Sequence, residues 1–91
     1  MTSRFLHISF DCADGDPRIK EFSPIFDKAL DWFRYNNYCW ILWTSSPPQK
    51  WYERIKPLLA RGDHVFIVAL DISERQGWMS KSFWEWLKQE R

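Results

Sequence analysis

The side chains with the most scope for chemistry are carboxylates and an imidazole at the ends of apolar segments. Asp11 follows the alternating segment 4–10, and His64 precedes the apolar run 65–70. Carboxylate oxygens suit Mg²⁺ and Mn²⁺, so Asp11 and Asp14 are candidate metal ligands. Asp11 and His64 are the candidate catalytic residues, with His64 as a general base or phosphate contact. An acidic residue after a strand is also ordinary turn chemistry, so a purely structural role stays open.

Further acidic residues, Asp16 and Asp63, add negative charge around Asp11. Clustered carboxylates repel one another, and a divalent cation would relieve that repulsion. Protonation or separation into solvent would relieve it as well. A bound cation is therefore one of three solutions that the sequence allows.

Basic residues interleaved with aromatic rings form a second group. Phosphate contacts combined with base stacking are typical of proteins that bind single-stranded nucleic acid. The candidate nucleic-acid-binding residues are Arg34, Lys50, Arg54 and Arg61.

The seven tryptophans have two interpretations. Large aromatic side chains usually fill a core, and we predict this for Trp40, Trp51 and Trp86. Exposed tryptophans more often mark a protein interface than a nucleotide site. We expect partial exposure for Trp32, Trp43, Trp78 and Trp84, of which Trp32, Trp78 and Trp84 are the candidate partner-binding residues.

The composition predicts one small domain over residues 1–91. With 45% hydrophobic residues, 27% charged residues and a net charge of +1, the chain is neither disordered nor strongly attracted to polyanions. No apolar run approaches the roughly 18 residues of a membrane span, so we expect a cytoplasmic protein. Two cysteines, Cys12 and Cys39, offer neither a disulfide framework nor four metal ligands.

The first half of the chain predicts a strand, a helix and an ambiguous third element. Alternation over residues 4–11 indicates a half-buried strand, and Ser23-Pro24 is typical of a helix start. If that helix runs to Asn36, the fold is a three-stranded α/β layer. If it stops near Leu30, residues 32–35 form a strand and Asn36-Asn37 a two-residue hairpin turn with positive φ.

The second half predicts two apolar strands and two helices. Residues 38–44 indicate a strand buried on both faces, and residues 63–71 the strongest strand, with a central or near-central placement. Between them we expect a helix that closes at Gly62 and is weakened by Pro57. A C-terminal helix from Ser80 or Ser82 to Lys88 should bury two or three of its large side chains, Phe83, Trp84, Trp86 and Leu87.

Taken together, these segments resemble the SinR-like family of small bacterial and phage proteins. That family is similar to CRISPR-associated small endonucleases and to virulence-associated ribonuclease toxins. The resemblance implies a ferredoxin-like β-α-β-β-α-β sandwich with an extra C-terminal helix, often as a homodimer, and it favours the hairpin over the three-stranded layer. It rests on Leu6 to Asp11, Tyr38 to Thr44, Ile55 to Leu58, Gly62 to Leu70, Trp78, and Glu85 to Lys88.

From the implied fold we expect the first and third strands to be parallel neighbours and the fourth to be antiparallel beside the first. This would bring Asp11, residues 44–46 and Asp63-His64 to one end of the sheet. It would also separate Cys12 from Cys39 by a strand length of roughly 17–20 Å. The similar endonucleases place an aspartate at the end of the first strand, which implies that Asp11 from each of two subunits shares one Mg²⁺ or Mn²⁺ ion.

Two functional classes follow. The first is a homodimeric nucleic-acid-binding protein with metal-dependent phosphodiesterase, nuclease-like activity on DNA or RNA, which the resemblance favours. The second is a non-enzymatic protein-interaction module of the same fold, acting in a phage, defence or toxin–antitoxin context. The near-neutral charge favours the second class, because phosphate contacts from Lys and Arg usually dominate nucleic-acid affinity.

Overall fold

The computed structural model describes residues 2–91, which form a four-stranded antiparallel sheet with three helices. The strand order is β2-β3-β1-β4, which excludes the three-stranded layer. The element order is β-α-β-β-α-β-α and departs from the standard ferredoxin-like order by its last helix. The elements are β1 (Arg4–Asp11), α1 (Ile19–Phe26), β2 (Asp31–Arg34), β3 (Cys39–Thr44), α2 (Pro48–Ile55), a 3-10 turn (Lys56–Leu58), β4 (His64–Leu70) and α3 (Lys81–Leu87).

The pairing of β1 with β3 corrects one expectation. The two strands are antiparallel, with Arg4 opposite Thr44 and Ser9 opposite Cys39. The end of β1 therefore adjoins the start of β3, and the expected strand-length separation of Cys12 from Cys39 is wrong. Both cysteines are nevertheless free thiols.

A hairpin joins β2 to β3, as the resemblance favoured, but its turn differs from the predicted one. The amide of Tyr35 donates to the carbonyl of Cys39 at 3.1 Å, so this hydrogen bond encloses a loop of three residues, 36–38, rather than the two predicted. Among the described non-glycine residues, positive φ occurs at Arg18 and at neither asparagine. The Asn36 side chain instead accepts the amide of Tyr38 at 2.9 Å, which closes the loop as an Asx turn.

The first helix begins four residues before the predicted start at Ser23. Ile19 opens α1, and the Ser23 hydroxyl donates to the Ile19 carbonyl at 2.7 Å as an interior residue of the helix. Pro24 lies in the final turn, where it removes one backbone donor, and α1 ends at Phe26. Because α1 ends there, the chain can form β2 from Asp31 onwards.

Two further expectations, the length of α2 and the position of β4 in the sheet, are corrected by the structure. Pro57 ends α2 at Ile55 and turns the next three residues into a 3-10 turn, so the helix does not reach Gly62. The apolar strand β4 pairs with β1 alone and forms an edge of the sheet, so the predicted central or near-central placement is wrong.

The two faces of the sheet are covered to different extents. We call the face under α1 and α2 the two-helix face; its core contains Leu6 and Ile8 of β1 together with Trp40 of β3. The opposite, one-helix face carries Phe5 and Ile41 under α3. Every side chain that is completely buried belongs to the two-helix face: Trp40, Trp51, Phe22, Phe26, Leu6, Ile8, Leu42 and Ile55.

The C-terminal helix forms as predicted. The Ser80 hydroxyl caps α3 by accepting the amide of Phe83 at 3.2 Å. Phe83, Trp86 and Leu87 are buried, which confirms that the segment packs on the sheet. None of the helices in the described chain is long and apolar enough to cross a membrane.

Candidate functional site

Asp11 and His64 meet at one end of the sheet. They are direct partners across the antiparallel β1–β4 pair, which places both side chains on the one-helix face. The Nδ1 atom of His64 lies 3.2 Å from Oδ2 of Asp11. The side chain of His64 is 76% exposed and that of Asp11 is 78% exposed, so the pair faces solvent. The Nε2 atom of His64 has no partner among the hydrogen bonds of residues 2–91.

The pair borders a part of the one-helix face that α3 leaves uncovered. Ser9 lies opposite Phe66, one step along the same face, and Phe66 is 63% exposed. We call Ser9, Asp11, His64 and Phe66 the open strip. Together with Phe10 and Val65 they line a shallow depression of about 190 Å³. The open strip thus combines an apolar ring with an acid and a base.

Asp63, which was expected to add charge beside Asp11, has a structural role. Its carboxylate accepts the amides of Ala13 at 2.9 Å and Ala60 at 2.7 Å, and it pairs with Arg18 at 2.5 Å. The backbone donors and then the guanidinium lower the pKa of Asp63 to about 2. Its negative charge is therefore already balanced within the chain.

The remaining candidate ligands lie in turns. Asp14 accepts the amide of Asp16, and Asp16 accepts that of Arg18, each at 2.9 Å, which is the Asx geometry of a loop. Residues 44–46 lie at the other end of β3, where the Thr44 hydroxyl accepts the Trp51 indole N–H at 3.3 Å. The expectation that they join Asp11 is wrong, because it assumed parallel strands. Within residues 2–91 no three His, Cys, Asp or Glu side chains are close enough to hold a metal ion.

The second histidine is held by a tyrosine. His7 Nε2 and the Tyr35 hydroxyl are 2.5 Å apart on the one-helix face. Burial lowers the pKa of His7, so the ring is neutral at pH 7. Burial, and then the neighbouring Cys39, raises the pKa of Tyr35 to about 12. Burial therefore favours the uncharged form of both groups.

The four candidate nucleic-acid-binding residues lie on three parts of the chain. Arg34 of β2 donates to the hairpin loop at Asn37, and Arg54 of α2 stacks 4.5 Å above the Trp51 ring. Lys50 on α2 and Arg61 in the loop before β4 are exposed. Two of the four charges are thus engaged with their own chain, and two are available to a partner.

The tryptophans divide as the sequence predicted. Trp40, Trp51 and Trp86 are buried. Trp32, Trp43 and Trp84 are half-buried, and Trp32 donates its indole N–H to Asp27 at 2.9 Å. Trp78 is 99% exposed. Of the three candidate partner-binding residues, Trp78 is therefore the one whose whole ring is exposed to solvent.

Two important residues were missed by sequence reasoning. Phe66 was assigned to a central strand, and only its position on an edge strand exposes it. Arg18 was not singled out, although it joins the loop after β1 to Asp63 and to the Leu58 carbonyl at 2.7 Å. Phe66 could have been found from the sheet order, whereas no local signal identifies Arg18.

The fold and the site define a small α+β protein in which a four-stranded antiparallel sheet is closed on one face and partly open on the other. In comparisons with known proteins, no protein family, no curated protein and no solved structure matches this chain.

Proposed function

We propose that the protein is a homodimeric interaction module that self-associates through the open strip, and that its sheet is a ferredoxin-like sandwich extended by α3. The observation that carries the proposal is the 63% exposure of Phe66, a large apolar side chain within the edge strand β4. A large ring left in water on a regular sheet face is typical of an association surface. The first six elements, β-α-β-β-α-β, support the assignment of the fold.

The charges of the open strip favour a second copy of the chain as the partner. Asp11 and His64 lie side by side, so a twofold axis near them brings the acid of each subunit to the base of the other. A patch with one acid and one base is complementary to itself. The net charge of +1 opposes the approach of two copies only weakly.

Sedimentation velocity from micromolar to millimolar concentration tests this proposal. We expect the wild type to move from the 11.1 kDa species towards twice that mass as concentration rises. Phe66→Ser should remain a monomer over a wider range. Leu30→Ser is the matched control, because Leu30 is 66% exposed and lies outside the open strip. A wild type that stays monomeric throughout would contradict the proposal.

A second candidate function is metal-dependent phosphodiester hydrolysis at the same place, and the Asp11–His64 contact is the observation that favours it. One chain would supply the free Nε2 of His64 as a ligand, with Asp11 Oδ2 orienting the ring through Nδ1, and a twofold copy would supply a second such pair. Mg²⁺ or Mn²⁺ bound there would polarise a phosphate oxygen and lower the pKa of a bound water. Of the four candidate nucleic-acid-binding residues, Lys50 and Arg61 are the two exposed cations available for DNA or RNA backbone contacts.

Metal binding and cleavage can be measured separately. If the second function holds, Mn²⁺ raises the melting temperature of the wild type and not that of Asp11→Asn or His64→Gln, and single-stranded DNA or RNA is cleaved only by the wild type. Glu90→Gln, a change at an exposed carboxylate outside the open strip, should behave like the wild type. Equal melting temperatures with and without Mn²⁺ would leave the protein as a non-enzymatic module.

A further inference from the structure

A groove lies on the one-helix face between α3 and the linker 71–80 that precedes it. Its volume is about 330 Å³, which is at the lower end of the range for small-ligand sites. The walls are mostly apolar and aromatic. They include Ile41 of β3, Met79 of the linker and, from α3, Phe83, Trp84 and Leu87.

The fully exposed Trp78 stands at the edge of this groove. Its neighbours Gly77 and Met79 both line the groove, whereas Trp78 itself is 99% exposed. Met79 packs inward against the α3 cluster. Met79 therefore lies inside the groove, whereas Trp78 lies outside it in solvent.

We propose that in the homodimer Trp78 of each subunit inserts into the groove of the other; this inference rests on the proposed self-association. One chain carries both a protruding indole and an apolar cavity with aromatic walls, so two copies related by a twofold axis fit each other twice. The Trp84 and Phe83 rings offer edge and face contacts to an indole, and the Met79 sulfur adds a thioether–aromatic contact. Tryptophan in a desolvated pocket is typical of the residues that dominate binding energy.

The linker lies on the same face of the sheet as the open strip. It leaves β4 after Leu70, at the end of the strand opposite to His64, and Ile72 and Met79 keep it on the one-helix face. Association of two such faces would therefore bury Phe66 and Trp78 in one interface. The open strip supplies the contact between the sheets, and the two indoles supply the contacts at its margin.

Gly77 allows the groove to be filled without removing Trp78. A Cβ atom at Gly77 meets nothing closer than 3.9 Å, and that atom belongs to the Trp84 ring inside the groove. The φ of Gly77 is not positive, so other residues fit its backbone. Gly77→Leu is expected to fill the groove, and Gly77→Ala is the matched control that leaves most of it empty.

Methionine methyl NMR reports on the groove directly, because the chain has two methionines and Met79 is the one in the groove wall. In ¹³C-methyl-labelled wild type, the Met79 signal should shift upfield as concentration rises, since a partner indole then lies against it. Trp78→Ala and Gly77→Leu should abolish that shift and raise the dimer dissociation constant at least about tenfold, whereas Gly77→Ala should retain both. Unchanged melting temperatures of the diluted variants would show that the monomer is intact.

The outcomes separate this inference from the proposed function. A dimer with a constant Met79 signal, or with an affinity indifferent to Trp78→Ala, would overturn the indole exchange and leave the homodimer in place. A Met79 signal that is independent of concentration but moves in Trp78→Ala would mean that Trp78 fills its own groove, which also overturns the exchange. A monomer at every concentration would overturn both.

Discussion

The two faces of the sheet differ in how completely helices cover them. On the two-helix face, α1 and α2 cover the strands so fully that Trp40, Trp51 and Phe26 have no exposed surface. On the one-helix face, the seven residues of α3 leave the buried side chains 5–9% exposed and Phe66 open to water. The strands supply apolar residues to both sides, so the amount of helix decides what remains uncovered. We attribute stability mainly to the first face and propose the second as the surface for association.

Removal of α3 should have the largest effect on stability, because it uncovers the one-helix face. A chain ending at Gln76 loses Phe83, Trp86 and Leu87 from the core, and each large apolar side chain contributes about 1.5–3 kcal/mol when buried. The free energy of unfolding should fall by several kcal/mol, as measured by urea denaturation. An unchanged urea midpoint would show that α3 does not stabilise the one-helix face.

Substitution of one phenylalanine on each face compares how much the two faces contribute to stability. Phe26→Ala should cost about 3–5 kcal/mol, because the side chain is completely buried among Phe22, Trp40 and Trp51. Phe66→Ala should change the stability of the monomer by less than about 0.5 kcal/mol. Urea denaturation at low micromolar concentration measures both. Similar losses from the two variants would refute the contrast between the faces.

The ion pair between Arg18 and Asp63 should make the stability of the fold depend on pH in the acidic range. The folded pKa of Asp63 is about 2, below its ordinary 3.8, so its contribution is complete above pH 4 and is lost as the pH falls towards 2. Asp63→Asn should flatten the pH dependence of the melting temperature in that window. Asp14→Asn is the control, because Asp14 reaches Arg18 only at 4.0 Å from an exposed position. A wild type and an Asp63→Asn variant with parallel pH profiles would contradict this account.

The smallest expected effect concerns the acid and base of the open strip. Asp11→Asn or His64→Gln should change the stability of the monomer by no more than about 0.5 kcal/mol, since exposed ion pairs contribute little. Their effect should appear instead in the dimer dissociation constant, which sedimentation measures. A large loss of monomer stability would mean that Asp11 serves chiefly as a structural cap for β1.

Patterns of apolar residues predicted most of the fold. The alternation in β1, the apolar run of β4 and the amphipathic α3 were each recognisable because burial imposes a period on the sequence. The start of α1 was wrong because Ser23 and Pro24 also fit inside a short helix. The placement of β4 was wrong because an apolar strand can occur at an edge when a partner or helix covers it in part.

The site was only partly predictable for a different reason. The meeting of Asp11 with His64 required only that β1 and β4 be antiparallel, which was expected. The grouping with residues 44–46 failed because a single strand direction was assigned incorrectly, and that choice moves a residue from one end of the sheet to the other. The role of Asp63 depends on Arg18, forty-five residues away in sequence, and no local pattern reveals such a pair.

Hydroxyl-radical footprinting of the aromatic side chains tests the central claim most directly, because it follows both faces in one sample. At micromolar concentration Phe66 and Trp78 should be oxidised rapidly, while Phe26, Trp40 and Trp51 serve as buried internal controls. At millimolar concentration the account predicts that Phe66 and Trp78 become protected and that the three controls do not change. Equally rapid oxidation of Phe66 at both concentrations would contradict the claim that the open strip is a self-association surface.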